Sequence, residues 1–141
     1  MINIRQAKKE ELQKVIEFYN SQKYHGGDTM DGSEFILIAE DGNEFVGAVR
    51  LLMEESTWVM RGMFIDDNYQ KHGIGKNFLT LMDNEIGSKE CYCICKDYLQ
   101  NFVGRIGFKK ITPADAPPHL FERYNKYMEN RTFGEMIMTK R

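Results

Sequence analysis

The sequence predicts an α/β (α+β) fold: a mixed sheet of about seven strands with helices on both faces. Three observations carry that expectation. Segments with helical apolar spacing alternate along the chain with segments of strand character. Three strand-like segments follow one another through short connections, which makes an antiparallel meander. The glycine- and lysine-bearing stretch from Asp67 to Lys76 sits where an apolar strand segment runs into an amphipathic helix.

The elements follow in order. An opening strand precedes a helix predicted from Lys8 to about Asn20, because Leu12, Val15, Ile16 and Tyr19 fall at i, i+3, i+4 and i+7. Residues 21 to 33 carry Gly26, Gly27 and Gly32 among polar neighbours and read as a connection. Phe35 to Glu40, a turn at Asp41-Gly42-Asn43, and Phe45 to Met53 form a hairpin signal. A connection at Glu54-Glu55-Ser56 leads to a strand from Thr57 to Ile65. Ile74, Phe78, Leu81 and Met82 mark a helix ending near Gly87. A cysteine-bearing strand, a short helix from about Leu99 to Ile106 and a strand from Phe108 to Thr112 come next. Pro113, Pro117 and Pro118 then break the chain before a helix with Leu120, Tyr124, Tyr127 and Met128 on one face, and Phe133 to Thr139 closes as a strand. The order is β-α-β-β-β-α-β-α-β-α-β.

At 141 residues and 42% hydrophobic, the chain is expected to form one domain over 1–141, burying roughly two-thirds of its unfolded surface. No apolar run of about 18 residues is present, and Met-Ile-Asn-Ile is no leader peptide, so the expected location is cytoplasmic. A net charge of −2 with interspersed signs gives no bulk reason to bind nucleic acid or an anionic membrane. Cys91, Cys93 and Cys95 alternate, so a strand places their sulfurs on one face. A straight strand does not form the Cys-x-x-Cys knuckle of tetrahedral metal sites, so the cysteines read as small apolar side chains and no metal is expected.

Asp67-Asn68-Tyr69-Gln70-Lys71-His72-Gly73-Ile74-Gly75-Lys76 reads as a phosphate cradle. Two glycines let the backbone approach a ligand, the helix's first turn offers N–H groups, and the positive end of the macrodipole faces the same point. Lys71 and Lys76 add cationic charge. The spacing lacks G-x-x-x-x-G-K-[ST], and Phe78 stands where G-x-G-x-x-G needs a third glycine. What fits is Gln70-x-x-Gly73-x-Gly75.

That hexapeptide resembles the acyl-CoA pyrophosphate loop of the GNAT superfamily of N-acetyltransferases, [Q/R]-x-x-G-x-[G/A] between the family's fourth strand and third helix. Ile2 to Ala7 looks like the family's first strand, Phe45 to Arg50 is similar to its third, and Ile106-Gly107-Phe108-Lys109-Lys110 resembles its "LGFK" signature. The resemblance implies a mostly antiparallel central sheet and acetyl-CoA as co-substrate. Gln70, Lys71, His72, Gly73, Ile74, Gly75 and Lys76 would hold its pyrophosphate. Met63, Phe64 and Ile65, at a bulged end of the fourth strand, would offer main-chain groups to the pantetheine, and an N–H there would polarise the thioester carbonyl.

The acid and base depart from the family's pattern. Val103 stands where many members have a proton-donating tyrosine, so Tyr98, water, or no group at all protonates the thiolate. Val59 and Met60 stand where some members carry a glutamate base, leaving Glu54, Glu55 and Asp66 as the nearest carboxylates, or ordered water. Arg61 either holds a substrate carboxylate or pairs with an acidic neighbour. In the family's arrangement the first connection lies over the acceptor, so Tyr24, His25, Asp28 and Asp31 are candidates for acceptor contacts, with Tyr124 from the late helix. Asp28, Asp31, Glu34, Glu54, Glu55, Asp66 and Asp67 are expected to form an acidic rim that favours a small cationic amine.

The expected function is therefore transfer of acetyl from acetyl-CoA to a primary amine of a small molecule or peptide in a ternary complex. Its rival is a silent acyl-CoA-binding module of the same fold, favoured by Val103. An unrelated nucleotide-binding domain fits less well, because the loop follows a meander. A homodimer is allowed.

Overall fold

A computed structural model describes residues 1–24, 30–129 and 135–140. His25, Asp28 and the Phe133 start of the last strand lie outside the described residues. The elements are β1 (Ile2–Gln6), α1 (Leu12–Ser21), β2 (Phe35–Asp41), β3 (Glu44–Glu54), β4 (Thr57–Ile65), α2 (Ile74–Ile86), β5 (Cys91–Lys96), α3 (Gln100–Gly104), β6 (Lys109–Ile111), α4 (Pro118–Glu129) and β7 (Glu135–Lys140). Their order is the one the pattern predicts. The seven strands form one sheet in the order β1-β2-β3-β4-β5-β7-β6. β1–β2, β2–β3, β5–β7 and β6–β7 pair antiparallel, and β4–β5 pair parallel.

The chain divides into two compact units, Met1–Leu52 with Met60–Met82, and Met53–Val59 with Asp83–Arg141. In the first, strand periodicity sends successive residues to opposite faces. Ile36, Ile38 and Ala48 pack with Val15, Phe18 and Tyr19 of α1. Ala39 and Gly47 face the other way, where a Cβ on Gly47 would lie 3.4 Å from Ala39, from the Phe64 carbonyl and from the Phe78 ring of α2. Helices therefore cover both faces.

The predicted start of the first helix needs correction: Lys9–Glu11 is a 3₁₀ turn. Glu11 causes this locally. Its carboxylate accepts the Lys8 N–H at 2.8 Å and a fork from Arg5 at 2.8 and 2.7 Å. Those bonds, the Arg5 pair first, hold its carboxyl down at about 2. Leu81 also departs from expectation. It is exposed, and Ile74, Phe78, Leu79, Met82 and Ile86 form the buried stripe of α2 instead. The helix stops at Gly87, whose φ of +57° is the left-handed conformation of a helix C-terminus.

In the second unit, Leu120 of α4 is buried with Val59, Tyr92, Ala116 and Ile137. Tyr127 is half-buried on α4, and Met128 is exposed, so the predicted apolar face is narrower than its spacing suggests. Cys91 and Cys93 are buried and Cys95 half-buried, with no disulfide among the three. The Cys95 thiol lies 3.6 Å from the Met138 sulfur. Hydrogen bonding with Cys95, together with burial, pushes the Cys93 thiol up, so it stays protonated and behaves as an apolar side chain.

Candidate functional site

The loop before α2, expected to cradle a phosphate, turns into the helix through left-handed backbone. A short 3₁₀ turn, Asp67–Tyr69, is capped by Asp66, whose side chain accepts the Asn68 N–H at 2.9 Å. Gln70 continues extended, and its amide donates to the Ile65 carbonyl at 3.3 Å and to Asp67 at 3.2 Å. It thus braces the loop from within. Lys71 and Gly73 then both take left-handed backbone, φ +68° and +78°. That reversal delivers the chain to Ile74, which is buried and starts the helix. Gly73 accepts the first helical bond, from Asn77 N–H at 3.1 Å, so the N–H groups of Ile74, Gly75 and Lys76 lie ahead of the helix's own ladder. A Cβ on Gly73 would meet no atom within 4 Å, so the cradle is open at that point. Lys71, His72 and Lys76 are exposed around it. Tyr69 ties the loop to the β2–β3 turn by donating to Asp41 at 2.7 Å, and that bond pushes its phenol up to about 12.

β4 leads into this loop. Its end is fixed to β3 by the Asp66 N–H, which donates to the Val46 carbonyl at 2.8 Å. Met63, Phe64 and Ile65 are half-buried, and immediately before them Gly62 stands at φ +69°. A left-handed glycine inside a strand is the conformation of a bulge's first residue, which interrupts the ladder and re-aims the residues after it.

The other predicted site residues fall as follows. Tyr98 lies in the 3₁₀ turn Asp97–Leu99 and is largely exposed. Val103 on α3 is buried, which places an apolar side chain at the position the resemblance assigns to an acid. Arg61 is half-buried on β4, and its charge acts on the Tyr19 phenol. Tyr124 packs partly buried on the core of the second unit. Tyr24 follows the end of α1. Its ring centroid is 4.7 Å from Tyr19 and 5.1 Å from Phe64.

The acidic rim is smaller than expected. Glu34 is a buried ion-pair partner of Arg50, with 4% of its side chain exposed. Glu54 accepts from Arg123 at 2.9 Å, with His119 at 3.5 Å, so its charge is met from α4. Asp31 accepts from the Ser33 N–H and hydroxyl, Asp66 caps its turn and Asp67 holds Gln70. Glu55 is exposed. Among the described residues no cluster of three or more metal-ligating side chains occurs.

Sequence reasoning missed Arg50. It is 1% exposed inside β3, where its guanidinium donates Nε to Glu34 at 2.6 Å and Nη1 to the Tyr24 hydroxyl at 2.8 Å. The signal was present: Phe45 to Leu51 is an apolar run with one arginine in it, and a charge inside a buried strand needs a buried partner.

The family model for the acetyltransferase (GNAT) domain matches residues 3–116. No curated protein sequence matches the chain. Among solved structures, N-acetylglutamate synthase from Neisseria gonorrhoeae, complexed with coenzyme A and N-acetyl-glutamate, is 17% identical with a TM-score of 0.69, over 100% of this chain and 35% of that one. The chain therefore spans about a third of that protein's length. A GNAT-family acetyltransferase from Staphylococcus aureus Mu50 is 18% identical with a TM-score of 0.64, over 99% of this chain and 98% of that one. The PaiA N-acetyltransferase of Thermoplasma acidophilum, in complex with coenzyme A, is 17% identical with a TM-score of 0.61, over 100% and 99%. At these identities the likenesses establish the fold.

Proposed function

The chain belongs to the GNAT acetyltransferase family, and on that premise we propose that it transfers an acetyl group from acetyl-CoA to the primary amine of a small molecule or peptide. The observation that carries this reading is the open cradle. Two left-handed positions flanking His72, Lys71 and Gly73, turn the backbone into the N-terminus of α2 with two lysines beside it. A diphosphate fits that combination of N–H groups and cations. Coenzyme A in two of the similar structures supports the same ligand here.

In the proposed reaction the cradle anchors acetyl-CoA, and Met63, Phe64 and Ile65 align its pantetheine arm through main-chain groups. The neutral amine attacks the thioester carbonyl carbon within a ternary complex, so a C–N bond forms while the C–S bond breaks. An N–H of the segment after Gly62 stabilises the oxyanion, preorganised by the left-handed backbone at Gly62. The amine's surplus proton leaves to water, and the thiolate takes one from Tyr98. Tyr24, Arg61 and Tyr124 contact the acceptor. Tyr98→Phe is expected to lower kcat about tenfold with the Kd for acetyl-CoA unchanged, since only a transition-state interaction is lost. Unchanged kcat would leave water as the acid.

A second reading, a silent acyl-CoA-binding module, is favoured by buried Val103. An amine panel assayed for thiol release at low and high salt tests the proposal. Thiol release with at least one amine, and acetyl-CoA affinity that falls with salt, are expected because exposed cations hold the diphosphate. Salt-independent affinity, or ATP bound more tightly than CoA, contradicts the cradle's assignment.

A further inference from the structure

Gly62 is the meeting point of three polar side chains from separate parts of the chain. A Cβ there would lie 3.2 Å from the Arg50 Cδ, from the Tyr19 hydroxyl and from the Tyr24 hydroxyl. The Tyr19 hydroxyl donates to the Gly62 carbonyl at 2.8 Å. Burial pushes the Tyr19 phenol well up, so it remains a donor across the working pH range. Arg50 holds Tyr24 by its hydroxyl at 2.8 Å and is itself gripped by Glu34.

The local sequence explains how Tyr24 reaches this point. Lys23 takes left-handed backbone at φ +60°. Its N–H donates to the Asn20 carbonyl at 3.1 Å, and the Tyr24 N–H donates to Tyr19 at 3.0 Å. That is the Schellman ending of a helix, which folds the residue after the left-handed one back onto the last turn. Tyr24 thereby packs its ring, tilted, against Tyr19 and reaches Phe64 as well.

Stability alone does not account for the arrangement. A buried ion pair contributes little compared with apolar residues of similar volume. Glu34 also keeps its second oxygen, Oε1, buried without a hydrogen-bond partner among the described residues, which is a cost. What the network does provide is a fixed geometry for a residue that breaks the strand's regular course.

We propose that Arg50, gripped by Glu34, is a positioning residue for acetyl transfer: through Tyr24 and Tyr19 it fixes the kink at Gly62, and so aims the Met63 and Phe64 backbone at the thioester. The proposal rests on the acyl-CoA reading of β4. It adds that the buried polar network behind the strand, remote in sequence from the cradle, sets the rate and not the affinity.

Two variants test it. Tyr19→Phe removes only the donor to Gly62. Glu34→Leu/Arg50→Met removes both charges together, so no lone charge is left buried. Each is compared with wild type by CoA calorimetry, by kcat and KM for acetyl-CoA with the amine panel, and by amide hydrogen exchange over residues 60–64. In both variants we expect exchange there to quicken about tenfold, kcat to fall about tenfold, and the Kd for CoA and the KM for acetyl-CoA to stay within twofold. Unchanged exchange overturns the inference, and so does quickened exchange with wild-type kcat, since the network would then be structural only. If wild type releases no thiol with any amine, the acetyl-transfer reading falls and the aiming role falls with it; exchange then reports only whether the network holds the kink.

Discussion

Gly73→Asp is expected to raise the Kd for CoA on the order of a hundredfold while the protein stays folded. Aspartate tolerates left-handed backbone better than most side chains, and no atom lies within 4 Å of the added Cβ, so the substitution meets little steric resistance. What it adds is a negative charge where the proposed cradle would face a diphosphate. A like charge a few ångströms from a doubly charged diphosphate costs about 3 kcal/mol, the equivalent of that hundredfold. Gly73→Asn separates charge from shape, and its loss should be several-fold at most. Calorimetry returning wild-type affinity for the aspartate variant contradicts the cradle.

Arg50→Met alone is expected to destabilise the fold by about 3–5 kcal/mol, because it would leave the Glu34 carboxylate buried without its Arg50 partner. Urea denaturation reads this directly. The Glu34→Leu/Arg50→Met protein should recover most of the loss, since two apolar side chains replace a desolvated pair. If the single variant unfolds at the wild-type urea concentration, the pair does not hold the buried charges together as the structure has it.

The order of elements was legible because it rests on local signals. Ile74, Phe78 and Met82 state the helical period, Gly87 ends it, and Asp41-Gly42-Asn43 sits at a hairpin turn. The turn into α2 was legible for the same reason: its glycines, its lysines and its place at a strand–helix junction all lie within ten residues. Positions set by distant partners were not. Nothing local in Glu135 to Lys140 says that this last strand inserts between β5 and β6. Lys23 occupies a left-handed position usually signalled by glycine or asparagine, so the turn that delivers Tyr24 to Tyr19 had no sequence mark. Glu34 read as a loop carboxylate because its partner is sixteen residues away on β3, and Glu54 read as free because Arg123 lies on α4. The acidic rim was an inference from charges counted along the chain, and folding had already paired two of them.

The most direct test of group transfer is the stoichiometry of the reaction. Wild-type protein, acetyl-CoA and each amine of the panel are incubated together, with free CoA thiol and N-acetylated amine quantified by mass spectrometry. The account predicts equal amounts of the two products, formed over many turnovers with at least one amine. Tight CoA binding with no thiol released for any amine would contradict it and leave a silent acyl-CoA-binding domain.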